Sequence, residues 1–150
     1  MTSVIENSIE VDRPASTVYD QWTQFEEFPQ FMEGVQRVEQ LDDRRLHWHA
    51  EIGGADREWD AEIAEQVPDE VIAWRATGDT GHTGRVTFDR LSDASTRVNL
   101  RMEYQPEGLT EKAGDMLGVV DRRVKGDLDR FKAFIESRGT ETGAWRGEIR

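Results

Sequence analysis

Two residues combine a chemically useful side chain with a strand position that aims it inward: Arg57 and His82. Arg57 stands two residues before Trp59 in an alternating run, so a strand sends both to one face. A guanidinium placed there would bind an enolate or carboxylate oxygen. His82 has the parity of Val86 and Phe88, and an imidazole titrating near ~6.5 can shuttle a proton. Hairpins centred near Pro68-Asp69 and near Thr80 put both residues at the same end of a sheet. Both also sit beside turns, where charged side chains commonly just reach water. A bulge at Gly53-Gly54 would change the parity of Arg57.

Other chemistries find less support. His47, His49 and Glu51 form a His-x-His-x-Glu run, but it lies on the face opposite the apolar one, and no metal site is expected from it. Neighbouring strands offer Glu58, Asp60 and Glu62, then Arg75, Arg85, Arg97 and Arg101, the alternating charges of a solvated outer face. The serines fall in turns and helix ends, away from histidine, and no glycine-rich phosphate loop occurs. The chain has no cysteine, which excludes disulfides, thiolate zinc sites and cysteine nucleophiles. The formal net charge is −12, with three Lys beside sixteen Arg, and so acidic a chain is not expected to bind nucleic acid. No apolar run approaches the roughly 18 residues of a membrane span. The expectation is a soluble, cytoplasmic protein without a cofactor.

The elements that position these residues follow from periodicity. Residues 3–11 read as a strand, and Asp12-Arg13-Pro14 opens a helix carrying Ala15, Val18, Tyr19 and Trp22 on one face. A second short helical segment gathers Phe25, Phe28, Phe31 and Met32, closed by Gly34. From Val35 to Tyr104 the period becomes two. Six strands follow one another, joined by turns at Asp42-Asp43, Gly53-Gly54, Pro68-Asp69, Thr80-Gly81 and Ser92-Asp93. Trp59, Ala61, Ile63 and Val67 are expected on one face. A helix over about 111–138 carries Met116, Leu117, Val120, Val124, Leu128, Phe131 and Ile135 as its apolar stripe, and Gly139 stops it. Gly114 and Gly118 within it mean a close approach to the sheet, room for a ligand, or a later helix start. The sequence therefore divides into a domain over 1–140 and a tail over 141–150.

This is an α+β pattern: an antiparallel sheet of about seven strands, in the order β-α-α-β6-α, wrapped around a long C-terminal helix. Trp48, Trp59, Trp74, Phe88, Met102 and Tyr104 share one face. Such a row either fills a core or lines a pocket.

The stretches IEVDRPASTVYDQWTQFEEFPQFM (9–32), GADREWDAEIAEQVPDEVIAWRATG (54–78), GRVTFDRL (84–91) and ETGAWRGEI (141–149) resemble the START-like and Bet v 1-like superfamily with its helix-grip fold. Within it they are similar to the polyketide cyclase/dehydrase group and its coenzyme Q-binding relatives. The resemblance implies a hydrophobic cavity between sheet and long helix. Trp48, Trp59, Trp74, Phe88, Met102, Tyr104, Phe31, Leu117 and Val120 are then expected to line it, around a polyketide, quinone or lipid. In the aromatase/cyclases of the group, polar cavity residues, notably an arginine, orient a poly-β-keto chain for aldol closure and dehydration; Arg57 and His82 are the residues that fit here. The alternatives are a non-enzymatic carrier for a lipid, quinone or isoprenoid, and an accessory or stress protein with a collapsed pocket that works through protein contacts.

Overall fold

The computed structural model describes residues 3–52, 55–77, 82–104 and 110–149, with side chains except at 3, 52, 55, 82, 104 and 110–120. The turns expected at Gly53-Gly54 and Thr80-Gly81 lie outside these residues. Elsewhere the order of elements matches the periodicity. Strand β1 (Ser3–Val11) leads to helix α1 (Ala15–Trp22) and a 3-10 segment (Phe25–Gln30). Then come β2 (Val35–Gln40), β3 (Arg45–Ile52), β4 (Ala55–Val67), β5 (Val71–Thr77), β6 (His82–Ser92) and β7 (Ser95–Tyr104). Helix α2 (Thr110–Arg138) follows, and its backbone is already helical at Gly114 and Gly118. Among the described residues no helix is long and apolar enough to cross a membrane.

The strands form one antiparallel sheet in the order β1-β7-β6-β5-β4-β3-β2. Hairpins join β2 through β7 in sequence, and β1 completes the sheet against β7, with Ile5 opposite Met102 and Ile9 opposite Val98. One face carries the apolar parity and takes α2, whose Val124, Leu128, Phe131 and Ile135 are all buried. The outer face is stitched by cross-strand ion pairs, among them Arg75–Glu62, Arg85–Glu65 and Arg97–Glu10. His47 belongs there too: its ring nitrogens lie 2.6 Å from Asp60 Oδ1 and 3.3 Å from Glu58 Oε1. These carboxylates hold its pKa above the usual value.

The alternation read along β4 breaks at Ala64. Ile63 pairs with Trp74 but Glu65 pairs with Ala73, so one residue is left over as a bulge. Beyond it the parity is reversed. Gln66, not Val67, points inward and is 1 % exposed, beside the buried Tyr19. Burial pushes the Tyr19 hydroxyl pKa up.

Gln66 also anchors the end of the chain. After Gly139, whose positive φ of 79° ends α2 as a left-handed cap, residues 140–149 run back over α1. The fully buried Gln21 exchanges two hydrogen bonds with Thr142, donating through Nε2 (3.1 Å) and accepting the Thr142 N–H (2.9 Å). The Trp145 N–H donates to Thr23 Oγ1 at 3.1 Å. Arg146 reaches both Asp20 (2.6 Å) and Asp69 (2.8 Å) across the face of Tyr19. Ile149 pairs with Gln66 through two 2.8 Å main-chain hydrogen bonds and is itself buried. Of the two glycines of this tail, Gly147 is a spatial requirement, since a Cβ there would enter the Trp145 indole, whereas a Cβ on Gly143 would meet only the movable end of the Gln24 side chain.

Candidate functional site

The strand register assembles an aromatic wall. Trp48 faces Trp59 across β3 and β4, and their rings stack with centroids 5.8 Å apart and planes 7° from parallel. On the next strands Trp74 pairs with Gly84, and Gly84 with Met102. Gly84 is required because the Trp74 indole lies over its Cα, where any Cβ would collide with the ring. Trp22, Phe28, Phe31 and Phe131 close one end as a cluster of tilted and edge-on rings 5.1–6.2 Å apart.

These surfaces leave a cavity of about 150 Å³ between sheet and α2. Trp48, Trp59, Trp74 and Met102 line it, as the sequence suggests, together with Trp22, Phe25, Phe28, Met32 and Leu128. Phe31 and Phe88 do not: Phe31 is 2 % exposed inside the ring cluster, and Phe88 packs edge-on against Tyr19 at 5.4 Å. The side chains of Tyr104, Leu117 and Val120 lie outside the described residues.

The charged lining residues among those described are Glu33, Arg123 and Asp127. Asp127 Oδ1 accepts the main-chain N–H of Glu33 at 2.9 Å and Arg130 Nη2 at 2.5 Å. Arg130 also donates through Nε to Phe31 O at 3.0 Å. Arg123 Nη1 donates to the carbonyls of Glu33 (3.0 Å) and Glu51 (2.6 Å), tying α2 to the end of the 3-10 segment and to β3. Gly34, with φ of 85°, permits that crossing, since a Cβ there would strike the Arg123 guanidinium and lie 2.6 Å from Glu51 O. Burial dominates the titration of Asp127: despite the hydrogen bonds from Arg130 and the Glu33 N–H, its pKa is pushed up to about 6. The site thus holds one carboxyl group able to give or take a proton near neutrality.

Arg57 is exposed and does not line the cavity, although its register partner Ala50 does. His82 pairs with Tyr104 on β7, and its side chain lies outside the described residues. Strand spacings put the Arg57 and His82 backbones roughly 17 Å apart, with β5 between their strands. Asp127 was legible in principle: it stands seven residues after Val120, three after Val124 and four before Phe131, on the apolar stripe itself.

Residues 11–133 match the family described as polyketide cyclase / dehydrase and lipid transport. The chain belongs to that family. A relative described as an uncharacterized 17.2 kDa protein in the melC2-rnhH intergenic region of Streptomyces lincolnensis is 55 % identical over 148 residues, covering 98 % of this chain and 99 % of that one. Among solved structures, the Zhui aromatase/cyclase of Streptomyces sp. R1128 superposes with a TM-score of 0.83 at 18 % identity, covering 97 % of this chain and 100 % of that one. A START superfamily protein from Mycobacterium smegmatis gives 0.68 at 16 % identity, covering 85 % and 97 %. At such identities the likeness is one of fold. The curled seven-stranded sheet with its C-terminal helix is therefore the helix-grip architecture of this polyketide cyclase/dehydrase family.

Proposed function

We propose that this member of the polyketide cyclase/dehydrase family binds a small hydrophobic molecule in the tryptophan-lined cavity. One observation carries the reading: an open space of about 150 Å³ remains inside a wall that, apart from Glu33, Arg123 and Asp127, is aromatic and aliphatic. An apolar cavity of about that size admits a molecule such as benzene. The volume suits one six-membered ring or a comparable length of chain, and it falls short of the ~300 Å³ at which drug-sized ligands begin. A fused polycyclic polyketide would have to engage through one ring.

In a cyclase or dehydrase role, Asp127 supplies the acid–base group, because proton transfer is most efficient when the catalytic pKa lies near the working pH. Arg130 on α2 and the Glu33 N–H hold that carboxyl in place. The carrier role, for a quinone, isoprenoid or lipid, is favoured by a different feature: beyond Glu33, Arg123 and Asp127, the described lining offers no charged group. A pocket collapsed to nothing is the reading that the remaining space opposes.

Toluene titration followed through indole fluorescence tests the binding step. Saturable quenching is expected from the wild-type protein and none from Ala50→Phe, which puts a ring where a buried methyl now lines the cavity. No saturable response to toluene or to larger hydrophobic probes in the wild type would overturn the proposal. Solvent extraction of the purified protein, followed by mass spectrometry, then separates a carried lipid or quinone from an empty enzyme.

A further inference from the structure

From the way Asp127 is held, we infer that the cavity selects a single-ring ligand bearing a hydroxyl group, which donates its hydrogen bond to the Asp127 carboxylate. The inference rests on the small-molecule reading above and adds the chemistry of recognition. Asp127 lines the cavity, and its side chain is only 15 % exposed. Both of its internal hydrogen bonds end on Oδ1, one from a main-chain N–H and one from Arg130. Among the described residues no donor is recorded to Oδ2. A carboxylate has about four acceptor positions, so Oδ2 is left to water or to a donor on a ligand. An unfilled acceptor of that kind discriminates in favour of a donor, because the alternative occupants leave it desolvated and unpaired.

The neighbouring charges narrow the donor further. Arg130 contacts the same carboxylate and Arg123 lies on the same helix face, one turn away. A cationic amine would meet two guanidinium groups at close range, whereas a neutral hydroxyl brings a proton without a charge. Acceptor-only ligands such as quinones and aldehydes would set a lone pair against the carboxylate. Hydrocarbon ligands fill the space but leave Oδ2 unsatisfied. Volume then limits the rest of the ligand to about one ring.

Phenol and toluene make the test, since they differ by a hydroxyl in place of a methyl and are nearly equal in size. An apolar cavity without an acceptor prefers toluene, because dehydrating the hydroxyl is unfavourable. Here phenol is expected to bind more tightly by about tenfold or more at pH 7.5. In Asp127→Asn the preference for phenol over toluene should disappear or reverse. Saturable toluene binding by the variant shows that its cavity is intact. Toluene binding as tightly as phenol in the wild type overturns the inference and leaves the binding reading standing, as does a phenol preference that survives Asp127→Asn. Binding of neither probe removes both.

Discussion

Asp127→Asn should stabilise this protein, and the gain should depend on pH. The carboxyl titrates near 3.8 in an unfolded chain and at about 6 in the folded one, because burial outweighs its two hydrogen bonds. A group whose folded pKa is raised is most favourable to folding when it is protonated. That contribution is complete below about pH 3.8 and is lost as pH rises through about 6. Above pH 7 the ionised carboxylate therefore costs about 3 kcal/mol relative to its protonated form, from a shift of about two units at 1.36 kcal/mol each. The side chain is only 15 % exposed, so solvent screening removes little of this. Linkage gives about 3 kcal/mol for the amide's advantage at pH 7.5 and about half that at pH 5. For a chain of this length 3 kcal/mol corresponds to roughly 6–12 °C in Tm. Thermal unfolding of wild type and variant across pH 5.0–7.5 reads this directly. Asp129→Asn, at an exposed site two residues along the same helix, corrects for removing one charge from a chain of net −12. An Asp127→Asn variant that is less stable than wild type at pH 7.5, or whose advantage is the same at both ends of the range, would refute the placement of this carboxyl in a desolvated wall.

Four further outcomes follow from other parts of the fold. Gly34→Ala should lower stability by about 2 kcal/mol or more, because the new methyl needs a disfavoured positive φ and displaces Arg123 from its carbonyls; urea denaturation measures it. Gly84→Ala should turn the Trp74 indole off β6, changing tryptophan emission and weakening toluene binding in the same variant. Arg146→Ala should cost about 1–3 kcal/mol in urea denaturation, since Asp20, already pushed above its usual pKa by burial, would lose its partner. His47→Gln should change stability by less than about 1 kcal/mol at any pH, because its carboxylate pairs stand on the wet outer face; what His47 does contribute is present below its unfolded pKa and fades as pH rises through the raised one.

The strands and the long helix were legible because one-sided burial writes a period into the chain. Trp48 opposite Trp59, Trp74 beside Met102 on the same face, and Val124 to Ile135 on the covering helix all follow from parity and spacing alone. What escaped the pattern has two physical sources. The first is local: the bulge at Ala64 inserts one residue without altering composition, so Gln66 takes the inward position that alternation assigns to Val67. The second is chemical. Strand alternation points to Arg57 as the inward polar group, whereas the carboxyl in the cavity comes from the helix and hides in its hydrophobic stripe. A charged residue on such a stripe is informative because burial of an unneeded charge is costly.

The tail and the cavity share one cause. Helix α1 and the 3-10 segment bring Trp22, Phe25 and Phe28 to the cavity, yet α1 is only eight residues long and has no side-chain cap on its N-terminus. Its position depends on what holds its far side. Residues 142–149 do so through Gln21, Thr23, Asp20 and Gln66, which are all buried polar groups on or facing α1. Without the tail, Gln21, Asp20 and the Gln66 main chain would lose these partners, at about 1–3 kcal/mol apiece, whereas Thr23 Oγ1 would keep its bonds with Asp20 O and Gln24 Nε2. Gly147, which lets the tail fold under Trp145, is therefore part of the same structure as the aromatic wall. Removing residues 141–150 should loosen the aromatic end of the cavity before it affects the sheet. Hydrogen exchange of the truncated protein would show this as early loss of protection in α1 with protection retained in β6 and β7; uniform loss, or none, would contradict the coupling.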